Sequence, residues 1–106
     1  MTTTSQAKFA VGQIIRHILY GYRGVVIDVD PIFQGSDEWY TKMVSGQPPK
    51  DKPWYHILVH GSVHHAYAAE AQLEADATTD PIEHPELDYF FSDFKSGVYH
   101  SRHLTN

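Results

Sequence analysis

The sequence predicts an all-β domain: a small, strongly bent barrel of about five strands, with short helical segments in one long loop and in the C-terminal tail. Three observations carry this. Val11 to His17 and Tyr22 to Pro31 form one strand-like pair around Leu19-Tyr20-Gly21. Pro53 to His60 and His64 to Glu70 form a second pair around Gly61-Ser62-Val63. The connecting stretches are polar and turn-rich, with proline runs at Pro48-Pro49 and again at Pro81 and Pro85.

Residues 1–8 are polar and aperiodic, and read as a disordered tail ahead of a single domain spanning 9–106. Phe9 to His17 has strand character, and Gly21 ends it because glycine tolerates positive φ. From Tyr22 to Asp30 the alternation places Val25, Ile27 and Val29 on a core face. Gly24, Val26, Asp28 and Asp30 take the other. Pro31 lacks a ladder donor and stops the strand. Ser36 to Val44 reads as a short helix capped by Ser36 or Asp37, with Trp39 and Met43 stacked four apart. Gly46 to Pro53 is a stiffened polar loop, and an excursion of this length in a compact domain is usually functional or mobile.

Trp54 to Glu70 is the best hairpin in the chain. A three-residue turn at Gly61-Ser62-Val63 makes His60 face His64, Val59 face His65 and Ile57 face Tyr67. Tyr55, Ile57, Val59, His65 and Tyr67 then share one face, and Trp54, His56, Leu58, His60, His64 and Glu70 the other. Neither face is fully polar, so part of the outer one is expected to lie under the tail or a second copy of the chain. Asp80 to Pro85 is a turn-rich connector. Glu86 to Phe94 reads as a short helix with Leu87, Phe90, Phe91 and Phe94 as its apolar stripe. Tyr99 to Asn106 carries little signal.

Composition narrows the function classes. With 106 residues, 42% of them hydrophobic and none cysteine, the chain has enough apolar content for one core and no thiolates for disulfides or zinc. No apolar run approaches the roughly 20 residues of a membrane span, and the expected location is the cytoplasm. The net charge of −5 is uneven: residues 1–53 carry six Lys/Arg against five Asp/Glu, and residues 54–106 two against eight. A dedicated nucleic-acid binder normally has a basic surplus, because displacing counterions from phosphates needs cations. Any such face must be built locally, from the first half.

Eight histidines invite a metal reading. His56 and His60 on one strand face are about 13 Å apart and cannot share an ion. His60 and His64 converge across the predicted hairpin, but two imidazoles leave zinc short of ligands. Asp28 and Asp30, two apart on one face, have a spacing compatible with acid–base work, yet catalysis needs a pocket that perturbs one of them. No nucleophile elbow, phosphate-cradling glycine loop or cofactor motif appears. The expectation is a protein with no metal, no cofactor and no enzymatic activity. Arg16, Arg23, Lys42, Lys50 and Lys52 form the candidate nucleic-acid-binding patch. Trp39, Tyr40, Tyr89 and Phe90 are apolar anchors beside charge, suited to a protein partner.

The wording of the strands is more specific than their pattern. The run from Arg16-His17 through Tyr22, Gly24, Asp28 and Asp30 to Pro31 resembles the HspQ family, small heat-shock proteins also described as YccV-like hemimethylated-DNA-binding proteins. So do the run Pro53 to His56 with Trp54 and Tyr55, the run Ala66 to Leu73 with Tyr67 and Glu70, and His84-Pro85 with the later Tyr89-Phe90. The resemblance covers about residues 9 to 100. It implies a Src-homology-3-like barrel and a binding protein without chemistry of its own. Two functions follow from it. One is promoting the breakdown of denatured or regulatory proteins, including the replication initiator, by an ATP-dependent protease. The other is binding hemimethylated DNA in replication control.

Overall fold

The computed structural model describes residues 6–102. Strands β1 (Ile14–His17), β2 (Arg23–Asp30), β3 (Trp54–Val59), β4 (His65–Ala69) and β5 (Leu73–Ala75) form one antiparallel sheet in the order β4-β3-β2-β1-β5. A single 3₁₀ turn, Glu70–Gln72, joins the two outer strands β4 and β5. Helix α1 (Asp37–Met43) lies in the excursion between β2 and β3, with the Ser36 hydroxyl accepting from the Trp39 N–H as predicted for a cap. Helix α2 (Leu87–Phe90) and strands β6 (Phe91–Lys95) and β7 (Val98–Ser101) follow, the last two paired as a separate sheet. The predicted tail falls mostly on residues 1–5, outside the described ones; Lys8 N–H donates to Glu70. No helix among the described residues is long and apolar enough to cross a membrane.

The sheet is buried on both faces. Phe9, Ile15, Val26, Tyr55, Ile57, Ala68 and Leu73 form one core. Ile14, Val25, Leu58, Ile82, Phe91 and Tyr99 form another. This corrects the predicted face of β2. Val26 pairs with Ile57 and Asp28 with His56, so Ile27 is the extra residue of a β-bulge. Val25 and Ile27 therefore pack into the second core, while Val26 and Val29 pack into the first. Val26, assigned to the outer face, is fully buried.

The β3–β4 hairpin exists, but one residue out of the predicted register. Val59 N–H donates to the His64 carbonyl and Leu58 pairs with His65, so the loop holds the four residues His60 to Val63. A one-residue slip turns every β4 side chain to the opposite face. Tyr67 consequently faces His56 rather than Ile57.

The C-terminal segment departs most from expectation. Only Leu87–Phe90 is helical, and Phe91–Lys95 turns back through Ser96 and Gly97 onto Val98–Ser101. Both turn residues have positive φ (53° and 77°), the arrangement a two-residue hairpin of matched twist requires. This hairpin covers the second core, and Tyr99 N–H donates to Gly12 O across the join.

Candidate functional site

The excursion packs back on the sheet through its aromatic side chains. Phe33, Trp39 and Tyr40 gather on Trp54 and Tyr67, with ring centroids 4.7–6.5 Å apart. Trp54 is fully buried and its indole N–H donates to Pro49 O at 3.0 Å; the Tyr40 hydroxyl donates to Pro48 O at 2.6 Å. These bonds pin a proline loop that has few backbone donors of its own. Between the excursion, the β1–β2 turn and β4 lies a groove of about 780 Å³. Trp39, Met43, Tyr20, Tyr22, Tyr67 and Asp30 give its wall most of its character.

Asp30 anchors the polar end of this groove. One carboxylate oxygen accepts from the Tyr67 hydroxyl at 2.7 Å and lies 3.0 Å from His56 Nε2. The Tyr67 hydroxyl accepts in turn from the Gln34 N–H, tying the excursion to the sheet. Burial, reinforced by the bond to Asp30, pushes the Tyr67 phenol up to about 12, so it remains a donor. Asp28 completes the group, and one ligand atom from each of Asp28, Asp30 and His56 lies within 4.8 Å of the others. These three are the described residues that could hold a metal ion together. Asp28, however, is exposed and accepts from Val29 N–H, and the inward Asp30 oxygen already serves two partners. The predicted His60–His64 cross-strand pair does not form: His64 O accepts from Val59 N–H instead, and His60 Nδ1 accepts from Glu83 N–H. Sequence reasoning missed the Asp30–His56–Tyr67 contact because it depends on both the bulge and the hairpin register.

The five candidate cations are not a free patch. Arg16 and Arg23 face each other on β1 and β2, and each is met by a carboxylate from the chain that follows β4. Arg16 binds Glu74 at 2.8 Å in the open. Arg23 Nε binds Asp76 at 3.0 Å, and its other arm donates to Asp80 O. Burial alone would raise the Asp76 carboxyl, but donors from Thr78, Arg23 and Thr79 outweigh it and hold it below the usual carboxylate range. Lys50 binds Asp37 at 2.8 Å and lies 4.3 Å from the centre of the Tyr40 ring. Lys42 and Lys52 have no ion pair or side-chain hydrogen bond with another described residue.

Most other residues of the resembling runs hold the fold. His17 is buried, and its Nδ1 accepts the Leu19 and Tyr20 N–H groups that turn β1 into β2. Burial lowers its pKa, in keeping with a neutral acceptor. Tyr22, pushed up to about 12 by burial and the neighbouring Tyr20, packs beside it. A Cβ on Gly24 would come within 2.5 Å of Leu58 O, so no side chain fits where β2 crosses β3. Tyr55 donates to Glu70 at 2.5 Å and accepts from Phe9 N–H, closing the first core. His84 accepts from Glu86 N–H and meets His64 O ahead of exposed Pro85; Pro31 is exposed just past β2. Of the four proposed anchors, Trp39 lines the groove and Tyr40 supports it from the aromatic cluster. Tyr89 and Phe90 lie elsewhere, on α2, Tyr89 exposed and Phe90 packed on the second core.

A family model described as YccV-like, hemimethylated DNA-binding protein YccV like, matches residues 7–98. That span takes in the five-stranded sheet, the excursion with its groove, α2 and β6, and the chain belongs to this YccV-like family.

Proposed function

We propose that this chain is a non-enzymatic, HspQ-like heat-shock regulator. It acts in the cytoplasm by promoting the degradation of specific or denatured proteins, including the replication initiator, by an ATP-dependent protease. One observation carries the preference for a protein partner. The groove beside the excursion presents Tyr20, Tyr22, Trp39, Tyr67, Met43 and Val44 among polar neighbours, and its lining contains one carboxylate and no Lys or Arg. Phosphate contacts need cations, and Arg16, Arg23 and Lys50 are already engaged by carboxylates. The Src-homology-3-like barrel belongs to the same reading. Support for it comes from the strand order β4-β3-β2-β1-β5 and the 3₁₀ turn linking the outer strands.

Hemimethylated-DNA binding is the second reading. The family description favours it, as do Lys42 and Lys52, which form no ion pair with another described residue. A reconstituted assay separates the two: degradation of a labelled denatured substrate by an ATP-dependent protease, with and without this protein. Trp39→Ala should lose most of the stimulation, and the double change Lys42→Glu with Lys52→Glu should keep it. Absence of stimulation by the unaltered protein, together with methylation-dependent binding to a hemimethylated duplex, would establish the second reading instead.

A further inference from the structure

The groove reaches over the sheet at Asp30 and His56 and also runs along the edge of a strand. Its lining includes four consecutive residues of β4, His65, Ala66, Tyr67 and Ala68, whose side chains point alternately to opposite faces. Only a cavity beside the strand's edge meets all four. β4 is a terminal strand of the sheet, bonded to β3 on one side alone. The Val59 N–H to His64 O bond sets the phase of that ladder: positions 64, 66 and 68 bond to β3, and the N–H and C=O groups of His65 and Tyr67 point away from it. Among the described residues none of those four backbone groups has a hydrogen-bond partner. Unpaired edges are templates for another strand, and proteins usually blunt them with Lys, Pro or a covering segment. β4, reading His-Ala-Tyr-Ala-Ala, has no Lys or Pro, and an aromatic groove lies alongside it.

Resting on the protein-partner reading above, we propose that the groove binds an extended polypeptide segment that adds to the sheet as a strand along β4. Its backbone pairs with His65 and Tyr67, and its side chains settle among Trp39, Met43, Tyr20 and Tyr22. The unpaired groups repeat every second residue, about 6.6–6.8 Å along the strand, a spacing that an extended peptide backbone matches. Asp30 is the one carboxylate in the lining, which has no Lys or Arg, and this disfavours a phosphate backbone. The ligand class is therefore unfolded or locally extended protein chain, selected by backbone and alternate apolar side chains rather than by a folded epitope.

The test uses the full chain and a capped seven-residue peptide that alternates valine and threonine around one central lysine. Amide hydrogen exchange is followed residue by residue with and without the peptide. The proposal expects the His65 and Tyr67 amides to exchange quickly in the free protein and to slow at least tenfold with peptide bound. A paired substitution isolates the backbone: His65→Pro and His65→Ala lose the same exposed side chain, but only the proline lacks the outward N–H, which is unpaired in the free protein. His65→Pro should bind the peptide roughly tenfold more weakly than His65→Ala, with both variants checked for unchanged β3–β4 exchange protection. Binding without protection of these amides, or equal affinity of the two variants, overturns strand addition and leaves the protein-partner reading standing. Failure of the peptide to bind, or protection of the same amides by a hemimethylated duplex instead, also overturns it. Loss of protease stimulation by the unaltered protein is the separate outcome that would remove the reading beneath.

Discussion

The groove beside β4 and the arginine pair on β1 and β2 are built from the same sheet and differ in what the rest of the chain has done to them. At the groove, aromatic side chains from the excursion leave a concavity, and the strand beside it keeps unpaired backbone groups. At the arginine pair, Glu74 of β5 meets Arg16 in the open and Asp76, the residue after β5, meets Arg23 in a largely buried contact. Like charges directly opposite on neighbouring strands repel, and the two carboxylates offset that repulsion. Cations counted along a sequence thus say little about the charge offered to a partner. Here the acidic second half is spent partly on the basic first half, inside one molecule.

Both regions depend on the register at Ile27, so the largest expected effect tests it. Val26→Asp places a carboxylate in the first core and should cost on the order of 4 kcal/mol or more, enough to unfold much of the population. Ile27→Asp, at a half-buried bulge position, should be clearly milder. Thermal melts showing the reverse order would remove the bulge and, with it, the contact between Asp30 and His56. Next in size is Arg23→Ala, which strands the buried Asp76 carboxylate and should cost about 2–3 kcal/mol. Arg16→Ala removes an exposed pair and should cost less than about 1 kcal/mol. If the two arginines proved equal by chemical denaturation, the distinction between a structural and a surface cation would fail.

Two smaller effects follow. Tyr67→Phe deletes the donor to Asp30 and the acceptor for Gln34, and should cost about 1 kcal/mol in stability while loosening the excursion. Exchange of the Gln34 amide reads this directly. The last concerns pH. His17 has a lowered folded pKa, so the unfolded chain binds its proton first. Its contribution is complete above the ordinary value of 6.5 and declines as pH falls below that. Asp76 behaves in the same sense at lower pH, with its contribution lost below the ordinary value of 3.8. His17→Asn keeps an acceptor for the turn and should flatten the decline between neutral pH and pH 5.5. An unchanged pH profile would show that His17 does not set it.

Strand wording made much of the fold legible. β2 and the β3–β4 hairpin were visible in Val25 to Val29 and Trp54 to Tyr67 because β-branched and aromatic residues cluster between turn signals. The bulge was not, because Ile27 is as apolar as its neighbours and only the partner strand shows it to be the extra residue. The register of β4 was misread because the loop holds four residues rather than three, and nothing in Gly61-Ser62-Val63 distinguishes the two lengths. The C-terminal hairpin was hidden by Leu87, Phe90, Phe91 and Phe94, whose spacing fits a helix as well; Ser96-Gly97 was the missed turn signal. At the site, Trp39, Tyr40, Trp54 and Tyr67 each stood out alone. Their convergence depends on how a proline loop folds back, which no local pattern encodes.

The central claim is that Arg16, Arg23 and Lys50 are engaged by carboxylates of the same chain and are not offered to phosphates. The most direct measurement is the salt dependence of binding to a hemimethylated duplex, since each neutralised phosphate adds about −0.9 to the slope of log affinity against log salt. With only Lys42 and Lys52 free among the five cations, the account predicts either no measurable binding or a contribution from these five no steeper than about −1.8, unchanged by Arg16→Ala. A slope near −4.5, made shallower by Arg16→Ala or Arg23→Ala, would mean that all five cations reach phosphates and would contradict it.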